Sequence, residues 1–390
     1  MKSFIETVKI REIVPTGQGI GDLEDGRKCF AWGALPGELV EVEITKKKKS
    51  YVEGFVIRVI EASSERVEPK DDCYLATSPW QIMNYDFELS EKASVVQKAF
   101  RMQKIEIEKP EVTTDFNEWN YRNKMEYSLY WDNDENKIKL AFHMRGSHRK
   151  IPISHSSIER KEILDKALEI IDDLNSRNEE ARKYQAILLR ANQNGEVSGG
   201  LLENFKPHPN FKELTDEILG REYSYSPNGF FQINLPVYEM ALKDIAKEVS
   251  GDKVIDLYSG VGTIGLSVAG DREVILVESN MSAVREAEKN AKGISNAKVI
   301  GAKSEEVLDF ITSDACVIVD PPRAGLDEKV VQKFLEILPP KIIYLSCNPI
   351  TQARDVAMMA EKYEMTKIKA FNFFPKTPHI ENLVILGRKK

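Results

Sequence analysis

The sequence lacks a long apolar run. None of its uninterrupted apolar stretches approaches the roughly 20 residues that a membrane-spanning helix requires. The N-terminal segment, Met1 to Arg11, alternates polar and apolar residues and does not present the continuous apolar core of a signal peptide. We therefore expect a cytoplasmic protein that makes no membrane contact.

Cysteine is scarce and dispersed. The four cysteines are Cys29, Cys73, Cys316 and Cys347, and no two of them form a C-x-x-C pair. This spacing supports neither a zinc ribbon nor a disulfide framework, and the sequence predicts no metal site. Cys316 lies inside the apolar run ACVIVD, so we expect it to be an inert core residue.

An excess of positive charge is also absent. The formal net charge of −7 argues against a general polyanion-binding protein. Two local basic runs are present, Lys46–Lys49 and the acid-free segment Lys137–Lys150, which holds five Lys or Arg residues. Each run is typical of a solvated face, and each could contact phosphates if the partner is RNA.

Turn signals divide the first half of the chain into short strands. Residues 1–62 contain β-branched stretches separated by glycine-rich turns, which predicts a small OB-like β-barrel. Residues 63–220 predict a central α+β domain. This domain should contain a helix from Phe87 to Glu108 and a hairpin that turns at Asp132–Asn136.

Residues 221–390 show a different pattern, because strand-like and helix-like segments alternate from about Val254 onward. Five such pairs are followed by two final strands with no helix between them, and EEVLDFIT is one of the predicted helices. The pattern predicts the α/β class, with a Rossmann-like domain whose parallel sheet has one antiparallel edge. Ligands of such sheets bind at the carboxyl ends of the strands.

A glycine-rich turn after the first of these strands is the candidate cofactor site. Gly260 and Gly262 belong to a G-x-G-x-x-G pattern that opens a helix and lets the backbone approach a ligand. Glu278 ends the next strand, where an acid can accept hydrogen bonds from ribose hydroxyls. The pattern fits either a dinucleotide or S-adenosylmethionine. Asp320, in the sequence Asp-Pro-Pro-Arg, favours methyl transfer, and Arg323 replaces the aromatic residue that is usual in amino-group methyltransferases.

Cys347 follows the fifth strand, in the sequence LSCNP. Carbon C5 of uracil is a weak nucleophile, but addition of a thiolate to C6 makes C5 enolate-like, so that it can attack an electrophilic methyl group. This chemistry needs an activated cysteine and a general base, for which Glu381 is the candidate. We expect the helix that begins near Ile350 to lower the pKa of the thiol, and His379 to orient a neighbour or the RNA. Taken alone, a cysteine such as Cys347 would more often be a buried core residue, and a glutamate such as Glu381 would more often be a solvated carboxylate.

Five motifs give the chain a resemblance to the RNA uracil-5 methyltransferases that act on tRNA or ribosomal RNA. They are NGFFQIN, DLYSGVGTIGL, VDPPRAGL, LSCNP and PHIEN, and their combination in this order is specific. The N-terminal stretch from GQGIGD to KKKKSY resembles the TRAM domain, a small barrel that grips RNA. The resemblance covers nearly the whole chain.

The resemblance implies roles for individual residues. It makes Cys347 the nucleophile and Glu381 the base, and it places the segment Tyr121–Lys124 near the target base. The resemblance adds Gln232, Tyr258 and Asp320 to the turn glycines and Glu278. The residues expected to contact S-adenosylmethionine are therefore Gln232, Tyr258, Gly260, Gly262, Glu278 and Asp320.

The chain departs from the family pattern at two places. Many relatives bind a [4Fe–4S] cluster through cysteines of which only Cys73 is present here, so we predict that the cluster is absent and that Trp80 packs in its place. Lys303 stands after the third strand, where relatives often carry an acid near the adenine of the cofactor.

These features together predict an S-adenosylmethionine-dependent RNA (uracil-5-)-methyltransferase that forms 5-methyluridine in structured RNA, with ribosomal RNA favoured over tRNA. Three alternatives stay open: RNA cytosine-5 methylation, a non-catalytic RNA-binding or assembly factor, and a nicotinamide-dependent oxidoreductase. Glu381 and the SCNP context favour uracil, and the intact Cys347 weighs against an inactive fold. We expect a monomer that binds an RNA loop containing the target uridine.

Overall fold

A computed structural model describes residues 4–390 of the chain. Three parts follow one another: a closed five-stranded barrel, a five-stranded antiparallel sheet, and an eight-stranded sheet that is mostly parallel. The first three residues of the predicted barrel lie outside the described residues. No helix within residues 4–390 has both the length and the apolar character needed to cross a bilayer.

The predicted OB-like barrel is present, closed in the order β1-β2-β3-β5-β4. Its strands are β1 (Phe4–Ile13), β2 (Gly19–Asp22), β3 (Lys28–Trp32), β4 (Leu39–Lys47) and β5 (Tyr51–Glu61). Gly54 lies at a close approach of β5 to β4. A Cβ atom at this position would come within 2.2 Å of the carbonyl oxygen of Glu43, so the close approach of the two strands requires glycine.

The central part joins a short helical segment to an antiparallel sheet. Its elements are α1 (Tyr74–Thr77), α2 (Tyr85–Met102), β6 (Val112–Thr113), β7 (Lys124–Asp132), β8 (Lys137–His143), β9 (Lys150–Ile153), α3 (Lys161–Ser176), β10 (Tyr184–Ala191) and β11 (Val197–Glu203). The sheet order is β11-β10-β7-β8-β9, and the hairpin predicted at Asp132–Asn136 joins β7 to β8. Helix α3 covers one face of this sheet with an apolar stripe that includes Ile163, Ala167 and Leu174.

The helix predicted from Phe87 to Glu108 forms as α2 but ends at Met102. The side chain of Asn84 accepts a hydrogen bond from the backbone N–H of Phe87 and so caps the N-terminus. Lys104 has a φ of 60°, in the left-handed region, and this turn stops the helix before the residues that were predicted to continue it.

The third part contains two hairpins, five parallel strands and the helices that cover them. Its elements are β12 (Leu214–Ile218), β13 (Arg221–Tyr225), α4 (Leu235–Glu248), β14 (Lys253–Leu257), α5 (Thr263–Val268), β15 (Glu273–Glu278), α6 (Met281–Asn290), β16 (Ala297–Gly301), β17 (Cys316–Val319), α7 (Glu328–Ile337), β18 (Lys341–Ser346), α8 (Pro349–Met359), β19 (Tyr363–Phe371) and β20 (Glu381–Arg388). The sheet order is β16-β15-β14-β17-β18-β20-β19-β6, with β20 antiparallel to both of its neighbours. The predicted α/β class and the antiparallel edge are confirmed.

Segment 85–113 packs with the third part of the molecule. Helix α2 lies against α8, and its residues Val96 and Phe100 belong to the apolar core on one face of the eight-stranded sheet. Strand β6, which the sequence did not predict, pairs in parallel with β19 at the outer edge of this sheet. The division at residues 62 and 220 stays a prediction, but the packing clearly crosses the second boundary.

The segment EEVLDFIT does not form the predicted α-helix. It folds as two 3-10 turns, Ser304–Glu306 and Leu308–Phe310, separated by Val307 with a φ of −126°. Val307, Leu308 and Phe310 are half-buried against the core, so apolar contact holds these short turns without a continuous helix.

Candidate active site

The carboxyl ends of the parallel strands open into a cavity of about 1260 Å³, at the edge where a ligand was expected. Its lining includes residues that were named individually in the sequence: Gln232, Tyr258, Gly260, Glu278, Lys303, Asp320, Arg323, Cys347, His379 and Glu381. The cavity is larger than the roughly 300–1,000 Å³ of a common small-molecule pocket. It can therefore hold a nucleoside cofactor together with a base that has left its stack.

The glycine-rich turn after β14 presents open backbone to the cavity. Gly260 has a φ of 56°, and no atom lies within 4 Å of the position that a Cβ would occupy there. The carboxylate of Glu278 accepts hydrogen bonds from the backbone N–H groups of Gly260, at 2.9 Å, and Asn280, at 2.6 Å. An acid fixed beside bare backbone at the end of β15 fits the ribose of S-adenosylmethionine.

Gly262, unlike Gly260, does not line the cavity. It precedes α5 with a φ of 86°, and a Cβ atom there would lie 2.9 Å from Cδ1 of Leu276. Glycine is thus needed at this position for packing of the turn against β15. Any contribution of Gly262 to cofactor binding comes through the shape of the turn.

Two predicted cofactor residues lie at other parts of the cavity wall. Tyr258 follows β14 with a φ of 62°, and its half-buried ring rests against the core. Burial raises the pKa of this phenol above its ordinary value, so the ring is neutral at physiological pH. Gln232 is buried in the loop before α4, and its backbone carbonyl accepts a hydrogen bond from the side chain of Asn123 at 3.1 Å.

Cys347 and Glu381 come together because β18 and β20 pair. Ser346 at the end of β18 lies opposite Asn382 on β20, so the next residue outward on each strand is Cys347 and Glu381, respectively. Gln352 on α8 holds this strand end, since its side chain donates to the carbonyl of Asn382 and accepts from the Asn382 amide at 2.6 Å. The predicted nucleophile and base are therefore neighbours at the cavity.

Burial and like charge dominate the protonation of the reacting groups. The pKa of Glu381 is raised well above its ordinary value by burial and by Asp320, and burial raises the pKa of Asp320 to about 7. Burial, Glu381 and Asp320 raise the pKa of Cys347 to about 12. The expected lowering of the thiol pKa by the N-terminus of α8 is outweighed, and Asn348 already caps that helix at the N–H of Ile350.

Arg323 and His379 lie beside these residues. Nη2 of Arg323 is 3.5 Å from each ring nitrogen of His379. Burial, with Arg323 and Arg145 nearby, lowers the pKa of His379 to about 3, so the imidazole is neutral at physiological pH. His379 therefore offers the cavity a neutral hydrogen-bonding ring, in keeping with the expected orienting role.

Segment Tyr121–Lys124 forms part of the cavity wall from the central sheet. The hydroxyl of Tyr121 donates to the carbonyl of Pro375 at 2.9 Å, and Nζ of Lys124 donates to the carbonyl of Gly229 at 2.8 Å. Arg122 and Lys124 line the cavity. The segment thus connects the loop that holds Gln232 with the loop that precedes Glu381.

The two basic runs are partly neutralised. Lys46 pairs with Glu53 on the barrel, and within the second run Lys137 and Lys139 pair with acids of the β7–β8 hairpin. Arg145 donates to the carbonyls of Leu75 and Thr77 and stacks over Trp32, with Cζ 4.8 Å from the ring centroid. Arg145 therefore helps to hold the barrel and the central sheet together, which the sequence did not predict.

Cys73 and Trp80 belong to separate cores. Cys73 packs in the core of the central sheet, where burial raises the pKa of its thiol to about 12, while Trp80 packs between the barrel and α2. Among residues 4–390, no group of His, Cys, Asp and Glu side chains is arranged to hold a metal ion. The absence of an iron–sulfur cluster stays a prediction. Lys303 is exposed at the rim of the cavity.

Sequence reasoning missed several cavity residues. Arg190 on β10 is buried and reaches the cavity from the central sheet, Ser259 has a buried hydroxyl without a partner in the described chain, and Phe230 is 72% exposed at the rim. Phe230 and Ser259 carried a signal, through the NGFFQIN and DLYSGVGTIGL motifs. A single arginine in a strand has no pattern that could reveal such a position.

The chain resembles known proteins over nearly its whole length. A sequence model of the tRNA (uracil-5-)-methyltransferase family matches residues 209–389, and a TRAM domain model matches residues 5–57. An RNA methyltransferase of Bacillus cereus, itself uncharacterized, is 30% identical, with 98% of this chain and 96% of the relative covered. The chain belongs to this methyltransferase family. A similar relative from Enterococcus faecalis is 29% identical over 99% of this chain and 98% of its own.

A solved structure extends the likeness to the whole fold. The tRNA (uracil-54, C5)-methyltransferase of Pyrococcus abyssi, in complex with S-adenosyl-L-homocysteine, has a TM-score of 0.78 and 24% identity, covering 98% of this chain and 99% of that one. The predicted fold class, the TRAM barrel and the S-adenosylmethionine-dependent RNA uracil-5 methyltransferase class are confirmed. An RNA substrate follows from the same membership.

Proposed function

We propose that the protein forms 5-methyluridine in a structured RNA, with Cys347 as nucleophile and Glu381 as general base. The observation that carries the proposal is the placement of these two side chains on paired strand ends, inside the cavity that the glycine-rich turn also lines. In this proposal Gln232, Tyr258, Gly260, Glu278 and Asp320 hold S-adenosylmethionine, and Gly262 shapes the turn. When bound, the cofactor supplies an electrophilic methyl group.

The residues of the chain perform the remaining chemistry. The thiol of Cys347 loses its proton to the carboxylate of Asp320, so that Glu381 stays free as the base, and its sulfur forms a bond to C6 of uracil while the C5–C6 π electrons move toward C5. Carbon C5 then takes the methyl group. Glu381 removes the proton from C5, the C5–C6 double bond re-forms, and the carbon–sulfur bond breaks to release Cys347.

The electrostatics of the site support this division of roles. A carboxyl group with a raised pKa is a stronger base once ionised, which suits Glu381 to proton removal from carbon. The high pKa of Cys347 means that the thiol stays protonated until a substrate is in place, which limits its oxidation and side reactions.

The choice of RNA belongs to the same proposal. In this proposal ribosomal RNA is the favoured substrate. Transfer RNA is the competing substrate, because the named activity of the Pyrococcus relative is on tRNA. We also propose that the enzyme acts as a monomer, with the barrel and the central sheet gripping an RNA loop so that the target base can enter the cavity.

The deciding experiment is trapping with RNA that contains 5-fluorouridine. Fluorine at C5 cannot leave as a proton, so the reaction should stop as a covalent adduct that mass spectrometry locates on Cys347. Separate ribosomal RNA and tRNA pools identify the substrate, and 5-fluorocytidine RNA tests the cytosine alternative. The variant Cys347→Ala should bind S-adenosylhomocysteine normally and form no adduct.

The contrary results are equally clear. An adduct with 5-fluorocytidine RNA alone would make the protein a cytosine-5 methyltransferase. Normal cofactor binding with no adduct on any RNA would support the non-catalytic RNA-binding alternative. An adduct with tRNA alone would support the proposed chemistry but would make tRNA, and not ribosomal RNA, the substrate.

A further inference from the structure

The loop between β19 and β20 leads directly to the proposed general base. It covers residues 372–380 and carries His379, and Glu381 is the first residue of β20. Three separate parts of the chain contact this loop: helix α2, the barrel and the segment that joins them. The residues that make these contacts take no direct part in the proposed reaction, yet they determine where Glu381 lies.

Helix α2 anchors the first half of the loop through a buried ion pair. Oε1 of Glu88 accepts a hydrogen bond from the backbone N–H of Lys376, at 2.9 Å, and pairs with Nζ of Lys92, at 3.0 Å. Lys92 is fully buried and donates to the carbonyl of Phe374 at 2.9 Å. Buried charges that are paired in this way are costly to separate, so this half of the loop is fixed firmly to α2.

The barrel contacts the second half of the loop. In the turn between β1 and β2, the N–H of Gly17 donates to the carbonyl of Val14 at 2.8 Å, and Gly17 has a φ of 95°. A Cβ atom at Gly17 would lie 2.2 Å from Cβ and 2.7 Å from Cγ of Pro378. The backbone of the barrel therefore lies directly against the ring of Pro378, the residue before His379, with no space for a methyl group.

Trp80 connects the barrel turn to the same loop. Its indole Nε1–H donates to the carbonyl of Gly17 at 3.0 Å, and its backbone N–H donates to the carbonyl of Lys376 at 3.1 Å. The side chain is buried between the barrel and α2. The barrel turn, Trp80 and the loop are thus packed as one unit, in which a change at the turn reaches the loop.

We propose that the barrel turn at Gly17 positions the catalytic end of this loop, in addition to the RNA contacts expected of the barrel. The proposal rests on the proposed function, in which Glu381 is the general base. Because α2 fixes the first half of the loop, a side chain that pushes on Pro378 moves the short segment that leads to Glu381. Displacement of a reacting group by about 1 Å can slow a reaction by about 100-fold, so this contact bears on the rate of proton removal.

Two glycines of the barrel provide a matched pair of variants. Gly17→Ala and Gly26→Ala both place alanine in the left-handed region, since Gly26 has a φ of 83°. No atom of residues 4–390 lies within 4 Å of the Cβ position at Gly26. Both variants therefore carry the backbone cost, and only Gly17→Ala pushes on Pro378. Single-turnover kinetics with uridine RNA would be measured for each, together with the affinities for RNA and S-adenosylhomocysteine.

The expected effect is confined to one step of the reaction. Gly17→Ala should release product about 10- to 100-fold more slowly than Gly26→Ala and should accumulate the methylated adduct on Cys347, because a displaced base removes the C5 proton slowly. The affinities for RNA and S-adenosylhomocysteine should be equal in the two variants. In the Pro378→Gly background, which removes the opposing ring, Gly17→Ala should slow release no more than Gly26→Ala does.

Hydrogen–deuterium exchange of the loop adds a measurement that needs neither RNA nor activity. The N–H of His379 donates to the hydroxyl of Thr377 at 3.2 Å, and displacement of the loop would expose this group. Exchange within residues 372–380 should be about 3- to 10-fold faster in Gly17→Ala than in Gly26→Ala. If Gly17→Ala does not fold, Trp80→Phe, which lacks the indole donor, takes its place in both measurements.

Equal exchange of the loop in Gly17→Ala and Gly26→Ala would overturn the proposal. Equal rates of product release would do the same. A loss of RNA affinity that accounts for the slower turnover of Gly17→Ala would also overturn it, and would leave the barrel with RNA binding alone. A wild type that forms no adduct with any RNA would instead overturn the proposed function, while the exchange comparison would still decide whether the barrel turn holds the loop.

Discussion

At the scale of single residues, Glu381 is the group whose removal should separate the steps of the reaction. The residue is 3% exposed, and Oε2 has no hydrogen-bond partner among residues 4–390. Glu381→Gln keeps the shape and removes the base. We expect addition of Cys347 and methyl transfer to proceed while elimination stalls, with release of product slowed by at least about 100-fold.

Mass spectrometry of Glu381→Gln with ordinary uridine RNA is the measurement. It should show a covalent adduct that carries the added methyl group, whereas the wild type should show free product. The wild-type rate should also rise with pH above the ordinary range of a glutamate, because the raised pKa of Glu381 delays its ionisation. Wild-type turnover by the variant would exclude Glu381 as the base.

Asp256 should make stability depend on pH. It is fully buried beneath the glycine-rich turn, accepts a hydrogen bond from the N–H of Gly265 at 2.8 Å, and has a pKa raised by burial to about 8. Its folded-state pKa lies above the unfolded value, so its protonated form stabilises the fold at low pH. That contribution is lost as pH rises toward 8, by up to about 1.4 kcal/mol per pH unit.

Denaturant unfolding of Asp256→Asn and the wild type between pH 5 and pH 8 checks this expectation. The variant cannot titrate, so its free energy of unfolding should fall less over this range than that of the wild type. Asp309→Asn, at an exposed carboxylate, is the control. Parallel pH curves for the wild type and Asp256→Asn would contradict the assignment.

At this scale the sequence predicted the residues that sit in motifs and missed those that do not. Cys347, Glu381 and Asp320 could be named because motif and strand position agreed. Arg190 comes from a strand of another part of the chain and enters the cavity only through tertiary packing. The pKa of Cys347 was predicted with the wrong sign, because the burial of the thiol, and the carboxylates that face it from the ends of β17 and β20, arise only in the folded chain.

At the scale of elements, Gln352 joins α8 to the strand end that carries Glu381. Its amide bonds the carbonyls of Tyr344 and Asn382 and accepts from the Asn382 side chain, all within the buried core. Gln352→Ala should leave these groups unpaired and lower the free energy of unfolding by about 1–3 kcal/mol. It should also slow trapping by 5-fluorouridine RNA, because Glu381 and Cys347 lose a shared support.

Thermal unfolding and the rate of adduct formation measure these two effects. Gln332→Ala, at an exposed position of α7, is the matched control and should change neither. If Gln352→Ala lowers stability but leaves the trapping rate unchanged, the strand pairing alone positions the reacting residues.

Long, strongly patterned elements could be predicted, and short ones could not. The strand–helix alternation indicated β14 to β18 and the terminal hairpin, and several of these strands, such as β14 and β18, are buried apolar runs. Strand β6 is two residues long and forms by pairing with β19 at the edge of the sheet. The EEVLDFIT segment carries helix-forming residues, yet short turns satisfy its apolar contacts.

At the scale of the whole molecule, RNA binding must overcome a net charge of −7. Lys48 and Lys49 lie at the exposed tip between β4 and β5 and, within the described chain, form no salt bridge, in contrast to Lys46, which pairs with Glu53. We expect a double change of Lys48 and Lys49 to Ala to weaken RNA binding. The slope of log affinity against log salt concentration should become shallower by about 0.7 for each phosphate that the variant no longer neutralises.

Filter binding over a range of salt concentrations provides this measurement. Lys137→Ala is the control, because Lys137 is already paired with Glu135 and should contribute less. An unchanged salt slope in the double variant would place the phosphate contacts elsewhere on the molecule.

The edge position of β6 also constrains how the chain folds during synthesis. Thr113 pairs with Phe371, which is made more than 250 residues later, at a delay of roughly 10–50 s for ordinary translation rates. Until then the apolar face of α2, with Val96 and Phe100, has no partner on the sheet that will cover it. The newly made N-terminal half is therefore exposed to aggregation and chaperone capture until the last strands emerge.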